Sequence, residues 1–295
     1  MSSLARALLV AARPRQWVKN LFVAAPLVFA RKATDPSLAL EAICAVAAFC
    51  ALSSAVYLVN DVVDVEKDRA HPVKRHRPIP AGQLTTRAAL TAAALLALLA
   101  LTAATLLTPA FGLVAAGYLA LNLAYSLRIK AIPFLDVGSI ALGFILRVLG
   151  GALAIGVPHT PWLLACTGLL AAFLGLGKRA HELAQARAAD GPLGPTRTAL
   201  ERYHPRVLRG ALLGVGAATA IAYLAYTQAE HTVTFFGTTG LIFTVPCCFA
   251  GIARFLVLVD RPRGESPTEE MLRDWPFMAN LALFAAVVLV VIYRR

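Results

Sequence analysis

Apolar runs long enough to cross a bilayer alternate with short polar connections along nearly the whole chain. A hydrocarbon core ~30 Å thick needs about 20 apolar residues in helical form. On that measure the pattern predicts nine spans, at roughly 16–33, 37–60, 86–107, 110–128, 133–156, 161–184, 206–228, 235–259 and 276–293. The connections near residues 108–109, 157–160 and 228–234 are short and almost uncharged. Polar side chains collect instead in 61–86, 128–132, 186–206 and 260–275, so these loops share one membrane face. Residues 1–15 read as an interfacial segment leading into the first span, with no cleavable signal-peptide pattern. Gly191, Pro192, Gly194 and Pro195 predict an irregular, mobile 186–206 loop. The expectation is an all-α membrane protein, a single multi-span domain over 1–295 with no separable soluble part.

Charge orients it. Of the 28 Lys and Arg, Arg31, Lys32, Arg294 and Arg295 fall on one side and Arg147 within a span; the others share the opposite side. The positive-inside rule then puts the N-terminus in the cytoplasm and the C-terminus outside. A composition of 59% hydrophobic and 15% charged residues excludes an ordinary soluble domain. The net charge of +12 is read as cytoplasmic loops meeting anionic lipid head groups, with no nucleic-acid role. Five cysteines lie in apolar runs without a Cys-x-x-Cys pair, which argues against disulfides and zinc.

The densest chemistry follows the second span. Asn60, Asp64 and Asp68 recur at i, i+4, i+8, which on a helix stacks them about 6 Å apart on one face. Asp61 lies beside that face. Such oxygen ligands suit Mg2+, which takes one or two carboxylates and leaves other positions to water and phosphate. Lys74, Arg75 and Arg77 come next and suit the remaining phosphate oxygens, although part of this basic run is ordinary inner-face decoration.

These features, Asn60-x-x-x-Asp64-x-x-x-Asp68, the basic Pro-bounded loop and nine spans, resemble the UbiA superfamily of intramembrane prenyltransferases over essentially the whole chain. The resemblance implies helices around a central cavity under a cytoplasmic cap. It also implies a second Asp-x-x-x-Asp pair at the end of the sixth span, but here that helix end reads Lys178-Arg179-Ala180-His181-Glu182. Cations there bind phosphate directly. With Arg13-Pro14-Arg15-Gln16-Trp17-Val18-Lys19-Asn20, this element is similar to a phosphoribosyltransferase branch. That branch takes 5-phosphoribosyl 1-diphosphate as donor and polyprenyl (decaprenyl) phosphate as acceptor, for cell-wall arabinan precursors.

The implied roles are these. Asp61, Asp64 and Asp68, with Asn60 as a further ligand, hold the donor diphosphate through Mg2+. Lys178, Arg179 and part of Lys74, Arg75 and Arg77 take the 5-phosphate or the acceptor phosphate, with Glu182 in the same element. Lys19 and Asn20 meet the lipid phosphate; Arg13 serves equally well as a head-group anchor. Asn122, Tyr125 and Ser126 share one face of the fourth span, where helix–helix bonding explains Asn122 as well as a ligand role does. Asp136 either pairs with Lys130 or holds a ribose hydroxyl. Arg147, costly inside a span, is assigned to the cavity, with Gly143, Gly150 and Gly151 allowing close approach. Glycine-rich helix faces leave room for a homo-oligomer without establishing one. The implied location is the plasma membrane with the active site facing the cytoplasm. The alternative is prenyl transfer to an aromatic acceptor, which the absent second Asp-x-x-x-Asp disfavours. A transporter is disfavoured because the acids cluster at one membrane face.

Overall fold

The computed structural model describes residues 3–188, 200, 202–261 and 267–293, and among these the ordered elements are helices. In chain order they are α1 (Ser3–Ala11), a 3-10 run (Pro14–Ala24), α2 (Ala25–Phe29), α3 (Pro36–Val63), α4 (Val65–Arg69), a 3-10 turn (Lys74–His76), α5 (Thr86–Leu107), α6 (Pro109–Leu127), a 3-10 turn (Ile129–Ala131), α7 (Leu135–Ala154), α8 (Pro161–Ala188), α9 (Pro205–Gln228), α10 (Glu230–Phe236), a 3-10 turn (Gly240–Thr244), α11 (Val245–Val259), α12 (Pro267–Arg273) and α13 (Trp275–Tyr293). Eight of the described helical segments are long and apolar enough to cross a membrane: α3, α5, α6, α7, Pro161–Arg187 of α8, α9, Gly240–Val259 and α13. The glycine–proline stretch of the 186–206 loop, part of the 260–275 loop, and Arg294 with Arg295 lie outside the described residues.

Small polar side chains set the helix starts. Asp35 caps α3, accepting from the Ser37 and Leu38 N–H groups at 3.0 and 3.3 Å and from the Ser37 hydroxyl at 2.6 Å. The Ser37 hydroxyl, followed by the Leu38 N–H, holds the Asp35 carboxyl below its ordinary pKa. Thr85 caps α5 through the Ala88 N–H. Thr108 caps α6 through the Phe111 N–H and donates to the Leu153 carbonyl at 3.1 Å, tying α6 to the end of α7.

The expected first span, 16–33, takes a different form: an eleven-residue 3-10 run joined to the five-residue α2. Pro14 and Pro26 remove two backbone donors. Runs of 3-10 helix this long are uncommon because the hydrogen-bond geometry is poorer than in an α-helix, so outside contacts must hold this one. One is Gly151, where an added Cβ would fall 1.8 Å from the Val23 carbonyl oxygen. Another is the Arg147 guanidinium, whose Nε donates to Asn20 Oδ1 at 2.9 Å. The expected eighth span, 235–259, also starts later. Gly237, at φ 67°, ends α10, and the apolar stretch runs from Gly240.

The described chain divides into two compact units. The first, within Met1–His159, holds α1 to α7; the second, from Thr160 onward, holds α8 to α13. In the first unit Phe49 sits at the centre, with Phe111 and Tyr118 rings 5.9 and 4.9 Å away. Gly150 gives these rings room, since a Cβ there would lie 3.0 Å from Phe49. The α7 glycines 150 and 151 thus let other helices come close, Phe49 of α3 and Phe111 of α6 at Gly150 and the 3-10 run at Gly151. In the second unit Phe173 packs on Phe255 at 5.1 Å, and Gly177 of α8 accommodates the Phe255 ring.

Arg254, expected near the inner end of the eighth span, pairs with Asp274 just before α13. Its Nε and Nη2 donate to the two carboxylate oxygens at 2.9 and 2.7 Å. The Arg254 hydrogen bond, aided by the Phe277 N–H, holds the Asp274 carboxyl below its ordinary value. The stabilisation is therefore complete above the unfolded carboxyl pKa of about 4 and fades as pH falls through the lower folded value. Asp274→Asn should accordingly lower thermal stability most at neutral pH, the gap from wild type closing on acidification. Thermal scans of both proteins in detergent from pH 7 to pH 3 measure this, and a gap that widens toward acid would contradict it.

Candidate functional site

The helix carrying the acidic motif does not run straight through it. α3 ends at Val63, Asp64 adopts a non-helical backbone (φ −96°, ψ 9°), and α4 begins at Val65. The i→i−4 backbone bonds nevertheless continue across it, from the Asp64 N–H to the Asn60 carbonyl at 3.0 Å and from the Asp68 N–H to the Asp64 carbonyl at 2.8 Å. Asp61 and Asp68, seven residues and so about two helical turns apart, share a face and meet at a common cation. Arg77 Nη1 donates to Asp61 Oδ1 at 3.1 Å and to Asp68 Oδ2 at 2.6 Å. Arg13 also donates to Asp61 Oδ1, and Lys74 Nζ lies 3.7 Å from Asp68 Oδ1. Lys130 Nζ donates to both oxygens of Asp64, at 2.8 and 2.7 Å. Asn60 is half-buried one turn before Asp64.

The arrangement has two tiers. Asp61 and Asp68 are 1% and 2% exposed, while Arg13, Arg77 and Lys74 above them are 25–29% exposed. Buried carboxylates require such partners, because removing their water without compensation is costly. The outer tier meets solvent first, and it is cationic. An anion reaching this face therefore encounters guanidinium and ammonium groups with carboxylates beneath them.

Among the described residues no group of three or more His, Cys, Asp or Glu side chains converges as a metal cluster. The donor set nevertheless fits a hard divalent cation. One nitrogen touches both Asp61 and Asp68, so two oxygen ligands face one point, and Mg2+ asks for no more than one or two carboxylates.

Arg13, for which a head-group anchor and a site role are equally expected from sequence, pairs with Asp61 of the acidic motif. Its backbone is left-handed (φ 54°, ψ 61°), unusual for a residue with a side chain. Its guanidinium carbon lies 4.9 Å from the Tyr57 ring centroid. Ser54 Oγ meets the turn, accepting from Trp17 Nε1 at 3.0 Å and sharing its one proton between the Cys50 carbonyl at 2.8 Å and the Ala12 carbonyl at 3.1 Å. The available signal was Arg13-Pro14, a cation held at a chain turn.

The other predicted residues fall in several places. Asn20 is fully buried, donating to Ser53 Oγ and Cys50 Sγ and accepting from Arg147. Arg147 also donates to Tyr118 Oη at 2.7 Å and to the Gly143 carbonyl at 3.1 Å, and is 7% exposed. Asn20 and Arg147 thus meet each other inside the first unit. Lys19 and Arg75 are exposed, and Arg75 Nε lies 3.3 Å from His76 Nε2. Tyr125 is half-buried. Asp136 is completely buried and accepts from the Val137 N–H at 2.9 Å, while Lys130 pairs with Asp64.

In the second unit, Lys178 is exposed near the end of α8, and Arg179 Nη1 donates to the buried Glu182 at 2.7 Å. His181, which sequence reading passed over, is buried with Nδ1 3.1 Å from the Val259 carbonyl. A cleft of about 300 Å³ in this unit is lined by Arg187, Arg209 and Asp260 among others, and none of the predicted residues lines it.

Helices of membrane-crossing length, with buried carboxylates under a cationic layer in the first unit, define the class as a multi-span helical membrane protein with a charged site. Residues 20–281 match the UbiA prenyltransferase family. The chain belongs to that family, whose members are integral to membranes. It is 32% identical over 287 residues to a decaprenyl-phosphate phosphoribosyltransferase of Mycolicibacterium smegmatis, covering 92% of this chain and 88% of that one. It is 34% identical over 276 residues to the decaprenyl-phosphate phosphoribosyltransferase of Mycobacterium tuberculosis, covering 90% and 87%. Among solved structures, a UbiA homologue from Archaeoglobus fulgidus bound to GPP and Mg2+ superimposes with a TM-score of 0.73 at 20% identity, covering 97% of this chain and 99% of that one. At that identity the likeness establishes the shared all-helical fold.

Proposed function

We propose that this protein transfers the 5-phosphoribosyl group of 5-phosphoribosyl 1-diphosphate to polyprenyl (decaprenyl) phosphate, releasing diphosphate. The observation that carries the reading is the cationic tier over Asp61 and Asp68, which suits phosphate-rich substrates. Relatives of similar length that carry this activity in their names support it. Asp61 and Asp68, with Asp64 and Asn60 beside them, would hold Mg2+, which when bound supplies positive charge to the departing diphosphate. Arg77 and Lys74 bind donor phosphate oxygens and hold C1 toward the acceptor. An acceptor phosphate oxygen attacks C1 with inversion, while the C1–oxygen bond to diphosphate breaks and diphosphate keeps the electron pair. The acceptor is already an anion, so no strong general base is required. Lys178 of the second unit is proposed as a further phosphate-binding cation.

The same reading takes 14–29 as a ninth crossing, with the N-terminus and the site on the cytoplasmic side of the plasma membrane and the C-terminus outside. The product would feed cell-wall arabinan synthesis. Membranes containing the protein, incubated with Mg2+, labelled 5-phosphoribosyl 1-diphosphate and polyprenyl phosphate, should yield a labelled lipid. Chelation of Mg2+ should stop its formation and re-addition restore it. Absence of labelled lipid, with prenylation of an aromatic acid instead, would overturn the reading in favour of ordinary prenyl transfer.

A further inference from the structure

Of the cations in the outer tier, Arg13 alone is flanked on both sides by exposed apolar surface. Leu4, Leu9 and Val10 of α1 are 50%, 47% and 56% exposed, and Val18 and Leu21 of the 3-10 run are 55% and 60% exposed. Lys74 and Arg77 stand on the 70–84 connection, where Val73 is exposed on one side only; Lys130 also lies between exposed apolar side chains, Leu127 and Ile132, but it is engaged by both oxygens of Asp64. A cation between apolar surfaces fits an amphiphile, with the chain along the hydrocarbon-facing side chains and the anionic head on the guanidinium. A cation on a polar loop fits a ligand arriving from water.

The Arg13 turn is specified by its surroundings. Its left-handed backbone would relax unless held, and the Ser54 and Trp17 bonds hold it. Tyr57 supports one side of the guanidinium and Asp61 takes an Nη2 hydrogen bond. A guanidinium carries five N–H donors, more than the Asp61 contact uses, and the side chain is a quarter exposed.

We infer that Arg13 binds the phosphate of the lipid acceptor, sharing or exchanging its pairing with Asp61 as that phosphate arrives, while Arg77 and Lys74 serve the water-soluble donor. The assignment deepens the proposed transfer reaction and rests on it for the identity of the acceptor. Phosphate recognition by Arg13 can be read without turnover.

The full-length protein in lipid nanodiscs is tested for binding of a polyprenyl phosphate and of the matching polyprenol, and separately for the KM of each substrate. Arg13→Asn is the main variant because asparagine tolerates the left-handed backbone. Arg13→Lys keeps the charge without the fork. In wild type the phosphate should bind more tightly than the alcohol. Arg13→Asn should lose about 10- to 100-fold of that preference, the range of a charge-assisted hydrogen bond. It should raise the lipid KM similarly and leave the donor KM within about twofold. Arg13→Lys should recover part of the preference, and Arg77→Ala should act mainly on the donor KM. An Arg13→Asn protein that keeps the phosphate preference, or whose two KM values rise together with a fall in thermal stability, overturns the assignment. Wild type that prefers the phosphate but makes no phosphoribosyl lipid overturns the transfer reaction and leaves the Arg13 assignment standing.

Discussion

Asp64→Asn is expected to fold normally and to lose about 10²- to 10³-fold in turnover, the size of effect found when one preorganised charge-stabilising group is removed from a site. Asp64 is the acid at which chemistry and folding separate best. Asp61 and Asp68 are almost fully buried and each pairs with two cations, so removing either disturbs buried packing and two ion pairs at once. Asp64 is 19% exposed and pairs with Lys130, itself a quarter exposed. Such a partly solvated pair contributes about 1 kcal/mol or less, and the asparagine amide oxygen still accepts from Lys130. Turnover by thermally intact Asp64→Asn, measured beside wild type with saturating Mg2+, decides the matter. Full activity would remove Asp64 from the metal-binding set and leave that task to Asp61 and Asp68.

The largest structural effect is expected at Gly151→Ala. The added methyl would sit 1.8 Å from the Val23 carbonyl oxygen, and the obstacle is backbone rather than a side-chain end that can swing away. α7 and the 3-10 run must then separate, which strains the Arg147–Asn20 bond as well. The cost should be about 3 kcal/mol or more, at the upper end for overpacking a well-filled interior. Thermal unfolding in detergent should show it as a substantially lowered midpoint. Gly138→Ala in the same helix, where a Cβ meets nothing within 4 Å, should leave the midpoint near wild type. Equal behaviour of the two variants would mean that the Val23–Gly151 approach does not hold the run.

Most of the fold was legible because long apolar runs in a bilayer have one economical solution, a helix with its backbone bonds satisfied internally. The exception, residues 14–29, shows what such runs do not reveal. Gly151 and Arg147, which touch the run, stand out in the sequence, but nothing local marks the run as their partner. The site divides similarly. Carboxylates near a basic loop announced a place for metal and phosphate. Their pairing was hidden, because it depends on the return of Arg77, a tertiary outcome. Asn20 and Arg147 were selected separately as substrate-binding groups, and their meeting with each other depends on how α7 packs against the run. Arg13 was underweighted because an arginine beside a membrane span ordinarily anchors to head groups.

The bond between Asn20 and Arg147 joins residues 127 apart in the chain. During synthesis, the run Pro14–Ala24 emerges long before α7 exists to brace it. Contacts of such separation are paid for late in folding, after the intervening loop entropy has been lost. The turn that presents Arg13 to Asp61 should therefore mature only once α7 has docked, making recognition of phosphate one of the last properties the nascent protein acquires.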